Sequence, residues 1–189
     1  SVTADLTHSL DALVAAGLSD LQVDLGAVRV VDAVLDGCAL PPARVTALHR
    51  ALAAKDVVTL RELTADLPAP VRSALHALPD LWGDAAVLEE AARRLPASPA
   101  LQAALDDLRW LHERLLELEA PPRVTFDLAD LRGYAYYTGV RFSVLGGEPE
   151  RHEIARGGRY DAVGAVFGRQ RPAAGFSLDL KQLVRLVPA

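Results

Sequence analysis

The sequence predicts an α+β fold, a mostly antiparallel sheet with an inserted helical subdomain. Three observations predict it. Residues 1–37 read as helix–strand–helix with short connections. Residues 38–119 carry only helical spacing of leucines, punctuated by proline. Residues 120–189 return to alternating and β-branched stretches joined by glycine-rich turns. Strands joined by short turns, with helices segregated elsewhere, give an antiparallel sheet. The two outer stretches are therefore expected to form one domain, and 38–119 the insertion.

Each element follows from a local pattern. From Ala4 to Ala16, Leu6, Leu10, Leu13 and Val14 share one helical face, with Thr3 as the expected N-cap and Gly17 as the C-cap. Leu21 to Leu25 alternates, a half-buried strand that Gly26 is expected to end. Val28 to Leu35 resumes as helix and closes at Gly37. Pro42 sits where a first helical turn starts, and Val45, Leu48 and Leu52, then Leu60, Leu63 and Leu67, keep helical spacing. Pro68 and Pro70 break the run before a short helix from Val71 to Leu78. A turn is expected around Trp82, then helix from Ala85 to Leu95. Leu101 to Leu118 is the longest expected helix, with Leu105, Leu108, Leu111 and Leu115 on one side. These helices are expected to bury their own leucine faces. Strands are expected at Arg123–Leu128, Tyr136–Val144, His152–Ala155 and Ala173–Leu178. Gly157 and Gly158 are expected to turn the third of these into a short helix near Tyr160. A last helix runs from Asp179 to Leu186.

Composition narrows the class. At 189 residues, half of them apolar, the chain holds one good-sized core and is not disordered. No apolar run reaches the roughly 18 residues of a membrane span, and no secretory signal is visible. The single cysteine, Cys38, excludes an intrachain disulfide and fits a reducing, cytoplasmic setting. A net charge of -5 gives no broad attraction to nucleic acid. Basic residues are denser toward the C-terminal end, at Arg151, Arg156, Arg159, Arg169, Arg171, Lys181 and Arg185. The start at Ser1 and the absence of methionine read as a piece of a longer protein.

The five histidines are scattered, with no metal-ligand spacing. There is no phosphate-binding Gly-rich loop before a Lys and no nucleophile elbow, and no cofactor is expected. Acid pairs such as Glu89–Glu90 and Asp106–Asp107 read as solvated helix faces. The pocket-forming residue types concentrate between Leu131 and Leu183, where all four tyrosines lie. On a strand, Tyr134 and Tyr136 would share one face and Tyr137 the other. A phenol offers both a hydroxyl and a stacking ring. Arg132 has the planar fork that clamps a carboxylate or phosphate. Gly157 and Gly158 let a backbone approach a ligand, though ordinary sheet packing and a tight turn explain tyrosines and glycines equally well.

The order of the motifs adds a resemblance. Arg132-Gly133-x-x-Tyr136-Tyr137-Thr138-Gly139, then Gly157-Gly158-Arg159-Tyr160-Asp161, then Gly175-Phe176-Ser177-Leu178 entering a helix, resembles the histidyl-tRNA synthetase catalytic fold. That family's first signature, Arg-Gly-Leu-Asp-Tyr-Tyr-Thr-Gly, lines a histidine pocket, and its third is class II motif 3. The resemblance implies a class II aminoacyl-tRNA synthetase-like fold, with 1–37 and 120–189 as parts of its catalytic-fold domain and 38–119 as the helical insertion. Motifs 1 and 2 have no counterpart here. By resemblance, Arg132, Tyr136, Tyr137, Gly157, Gly158 and Tyr160 form a histidine pocket, with Asp161 as the best acceptor within the chain.

The departures from the pattern shift the functional expectation. Gln182 stands where motif 3 has its ATP-binding arginine, preceded by Lys181 in place of an acid. Losing a charge-assisted contact to a triphosphate costs roughly 1.5–3 kcal/mol. Ala135 replaces the Asp of the tyrosine signature, and Ser143 the Glu that follows its Phe. The sequence stops at Ala189, where a synthetase continues into an anticodon-binding domain, and none is expected here. Together these are similar to the ATP phosphoribosyltransferase regulatory subunit family, non-catalytic paralogues of the synthetase. The resemblance implies a role in histidine feedback at the first step of histidine biosynthesis. It also implies a short-form catalytic subunit as partner, L-histidine as ligand, self-association and no tRNA binding. The alternatives are a truncated or divergent histidyl-tRNA synthetase, which activates histidine with ATP, and a paralogue with another ligase or scaffold role.

Overall fold

The structure, a computed structural model, describes residues 1–132, 136–161 and 173–187. Helix α1 (Val2–Ala15) is capped by Ser1, whose hydroxyl accepts from the Ala4 amide, two residues earlier than the expected Thr3. Gly17 leaves the helix at φ +91°. Strand β1 (Gln22–Ala27) runs through Gly26 and passes without a loop into helix α2 (Val28–Leu35). Gly26 does not end the strand, because its backbone pairs with Arg141.

Five helices follow: α3 (Pro42–Ala53), α4 (Val57–Thr64), α5 (Ala69–Ala77), α6 (Ala86–Arg94) and α7 (Pro99–Leu116). Their starts obey simple chemistry. Asp56 accepts from the Thr59 amide at 3.0 Å and Ser98 from the Leu101 amide at 3.1 Å, with Pro99 in the first turn of α7. The expected turn around Trp82 is a short strand, β2 (Trp82–Gly83), following a 3-10 turn at Leu78–Asp80.

The remaining elements are β3 (Arg123–Asp127), β4 (Val140–Gly146), β5 (His152–Arg159), β6 (Ala174–Leu178) and α8 (Leu180–Leu186). The strands form a six-stranded sheet in the order β2-β3-β1-β4-β5-β6. Only β1 and β3 are parallel; the other four pairings are antiparallel.

Two strand expectations need correction. Strand β4 starts at Val140, not Tyr136, so Tyr136 and Tyr137 lie in the approach loop and strand alternation does not orient them. That loop is held to the end of β5 by the Thr138 amide, which donates to the Arg159 carbonyl at 2.7 Å. Strand β5 extends through Gly157 and Gly158, which pair with Phe142 and Arg141, so the double glycine is strand and not turn. The short helix expected near Tyr160 falls on residues 162–172, outside the described residues.

One apolar core runs from the sheet into the helices. Leu101, Leu105, Leu108, Leu111 and Leu115 of α7 are buried, and the helix packs on α2, α6, β1 and β4. Its leucine face is therefore shared with the sheet rather than kept among the helices. Leu6 and Leu13 of α1 are also fully buried, on the side of the sheet formed by β4, β5 and β6. Each such side chain contributes about 2 kcal/mol of transfer free energy. The opposite face of β4 and β5 is left for polar groups. Among the described residues no helix is long and apolar enough to cross a membrane.

Candidate functional site

A cleft of about 500 Å³ opens over β4, β5 and β6. Its floor is built by register. Ser143 lies opposite Arg156, Arg156 opposite Ser177, and Gly158 between Arg141 and Gly175. Arg132, Tyr136, Tyr137 and Tyr160 close it from the loops.

Glycines make the room. A Cβ at Gly158 would lie 2.9 Å from Tyr137 Cδ1 and 2.7 Å from the Val140 carbonyl oxygen. The tyrosine ring therefore rests on bare backbone, half-buried, while Tyr136 stays exposed at the rim. Burial pushes the Tyr137 phenol above its ordinary pKa. A Cβ at Gly157 would strike the Phe142 ring and Phe176, and one at Gly175 the Tyr160 hydroxyl. Gly26 lets the Arg141 guanidinium cross β1, where a Cβ would come within 3.2 Å of Nε.

Beneath the cleft lies a charged network. Arg141 is buried; its Nε donates to the Asp130 carbonyl at 2.9 Å, and its Nη2 pairs with the Asp130 carboxylate. Asp24 lies 3.7 Å from the same guanidinium and accepts from the Thr125 hydroxyl at 3.0 Å. Burial pushes the Asp24 carboxyl upward, only partly offset by the Arg141 charge and that hydroxyl. Burial also raises Asp130, but hydrogen bonds from Arg132 and the charge of Arg141 outweigh it and hold the carboxyl below its usual range. The Asp130 turn is set in turn by Asp127, which accepts from the Ala129 and Asp130 amides and pairs with Lys55 at 3.0 Å.

Arg132 was expected as a carboxylate clamp. Its Nε and Nη2 donate to Asp130 at 2.9 and 2.6 Å, which orients the fork and raises its pKa above the ordinary value. Nη1 makes no hydrogen bond among the described residues. Of the other residues singled out from sequence, Tyr136, Tyr137, Gly157 and Tyr160 line the cleft, and Gly158 lies under Tyr137. Asp161 does not reach the cleft. It pairs with Arg159 at 2.7 Å and accepts from the Ala173 amide. Gly133, Tyr134 and Ala135 lie outside the described residues.

Sequence reasoning missed Arg141 and Glu153 in the lining and the acids Asp24 and Asp130 below it; Arg156 it read only as basic density, and Phe176 and Ser177 only as part of a motif. The available signal for Arg141 is a lone charge between Val140 and Phe142 in a mostly apolar strand. Part of the expected basic density is paired: Arg151 bonds Asp20, Arg156 faces Glu153 and Arg159 bonds Asp161, while Lys181 and Arg185 are exposed and Arg169 and Arg171 lie outside the described residues.

An antiparallel sheet roofed by a tyrosine-bearing loop and followed by a strand entering a helix defines a class II aminoacyl-tRNA synthetase-like protein. The histidyl-tRNA synthetase family model matches residues 5–183, and the chain belongs to that family. A Burkholderia cenocepacia protein named ATP phosphoribosyltransferase regulatory subunit is 52% identical over 95% of this chain and 46% of its own length. One of the same name from an Acidovorax species is 50% identical over 96% of this chain and 46% of its own. A solved Bacillus halodurans protein is described as an ATP phosphoribosyltransferase regulatory subunit/histidyl-tRNA synthetase. It superposes with a TM-score of 0.83 at 31% identity, over 99% of this chain and 49% of that one. The chain thus spans about half the length of the curated relatives it matches.

Proposed function

We propose that the full-length protein is a non-catalytic regulatory subunit of ATP phosphoribosyltransferase, acting at the first step of histidine biosynthesis. The observation that carries this is the 50–52% identity, over nearly the whole chain, to proteins of that name. The cleft suits histidine as the feedback ligand. Arg132 offers a cation for the carboxylate, and Tyr136, Tyr137 and Tyr160 offer rings and hydroxyls for the imidazole. The partner is a short-form catalytic subunit, in a cytoplasmic hetero-oligomer that also self-associates and binds no tRNA. Residues 38–119 act as the helical insertion of the synthetase-like domain.

The region beside α8 supports a non-catalytic role. Asp179 accepts from the Lys181 and Gln182 amides at 3.0 and 3.1 Å, so a carboxylate fills the helix entry. Gln182, half-buried, brings no charge. A triphosphate there would meet the Asp179 carboxylate and, where motif 3 has its arginine, a neutral amide, with only the exposed Lys181 and Arg185 as cations nearby. Feedback requires that histidine bind one state of the assembly more tightly than another.

The test mixes full-length protein with a short-form phosphoribosyltransferase chain and follows co-elution and activity with and without histidine. The expected result is a complex whose activity falls with histidine. No complex, together with histidine-dependent pyrophosphate exchange by the protein alone, would overturn the reading in favour of a histidine–tRNA ligase.

A further inference from the structure

The geometry points to Glu153 as the acceptor for the cationic nitrogen of the ligand, opposite Arg132, which takes the carboxylate. This rests on the cleft being a histidine site.

The first observation is a bulge. Val144 pairs with Ala155, but Leu145 pairs with Glu153, leaving Ile154 as an extra residue on β5. In a regular strand Arg156 and Glu153, three apart, would face opposite sides. The extra residue restores them to one side, because a bulge re-aims the side chains beyond it. Ile154 is fully buried, while Glu153 joins Ser143 and Arg156 in the cleft.

The second observation is an exchange between neighbouring strands. Where the synthetase signature has Glu after Phe, this chain has Ser143. The Ser143 hydroxyl donates to Glu153 Oε2 at 2.7 Å. A carboxylate is therefore held beside position 143, but by β5 instead of β4. Ser143 is itself buried and receives Arg141 Nη1 at 3.4 Å, so the carboxylate is anchored from the floor of the cleft.

The third observation is scarcity. Glu153 is the only acid among the described residues that line the cleft. Its neighbour Arg156 is largely exposed and stands at 3.6 Å, too loose to consume both oxygens. Arg132 on one side and Glu153 on the other present opposite charges to a zwitterionic amino-acid head group.

The test is calorimetric titration of full-length protein with histidine and with imidazolepropionic acid, which keeps ring and carboxylate but lacks the ammonium. Glu153→Gln is expected to weaken histidine by about tenfold or more, the loss of one charge-assisted hydrogen bond, and to leave the desamino analogue unchanged. Ser143→Ala, which keeps the charge and removes its anchor, is expected to give a smaller loss for histidine alone. Unchanged histidine affinity in Glu153→Gln, or an equal loss for both ligands, would overturn the assignment while leaving the histidine site standing. A wild-type protein that binds neither ligand would remove the histidine site, and this assignment with it.

Discussion

Arg141 and Asp130 form a buried ion pair under the cleft, joined through both the Asp130 carbonyl and its carboxylate. Arg141 also faces Asp24, so one guanidinium balances two acids. Breaking such a pair from one side leaves uncompensated buried charge, which costs about 3–5 kcal/mol. Arg141→Leu is therefore expected to destabilise the protein by that amount in urea denaturation. Asp24→Asn added to it should recover part of the loss. A single variant as stable as wild type would show that water reaches these acids freely.

Gly158 tests the support of Tyr137. Its missing Cβ is the space that the ring occupies. Gly158→Ala should displace Tyr137 and cost about 1–3 kcal/mol from overpacking. Histidine affinity of the full-length protein should fall more than in Gly83→Ala. Gly83 has nothing within 4 Å of a Cβ, though its φ of +139° makes that variant carry backbone strain of its own.

Acid sensitivity should come from two histidines in the helical region. Burial pushes His49 below the ordinary value. Burial, then the charges of Arg61 and Arg72, do the same to His76, which contacts the Thr64 hydroxyl at 2.8 Å. A group whose folded pKa is depressed contributes stability above its unfolded value and loses it as pH falls through the folded one. Stability should thus be flat above about pH 6.5 and decline below it. A His49→Gln, His76→Gln protein should lose that decline below about pH 6.5, measured as Tm against pH.

Lys55 ties the helical region to the cleft. Its ammonium pairs with Asp127 and lies 5.4 Å from the Trp82 ring, while Asp127 sets the turn that presents Asp130. Lys55→Ala should cost only about 0.5–1 kcal/mol, since the pair is partly exposed. Hydrogen exchange should nevertheless quicken at the Ala129 and Asp130 amides, and Lys55→Arg should restore it.

The fold class and several residues of the cleft lining are legible in the sequence, for separable reasons. Helices such as α2 and α7 are legible because their apolar spacing is local. Tyr137 and Tyr160 were legible because aromatics and glycines stand out in a chain otherwise rich in Ala and Leu. Arg141, Asp24 and Asp130 were not, because their partnership exists only once β1, β4 and the loop after β3 are brought together. Glu153 was hidden for another reason. Its facing depends on a bulge that no period-2 pattern announces, so nothing in the sequence singles it out.

The position of β1 has a consequence for how the molecule is made. Gln22 must wait for Arg123 on one side and for Leu145 on the other. During synthesis β1 emerges ahead of both of these partners and stays unpaired with them until residue 145 has followed. Helices α3 to α6, whose contacts are nearer in sequence, can form in that interval. The sheet then closes through pairings of long sequence separation, which are intrinsically slow. Until closure Val23 and Leu25 lack these strand neighbours, and apolar residues left exposed in that window invite aggregation and chaperone binding.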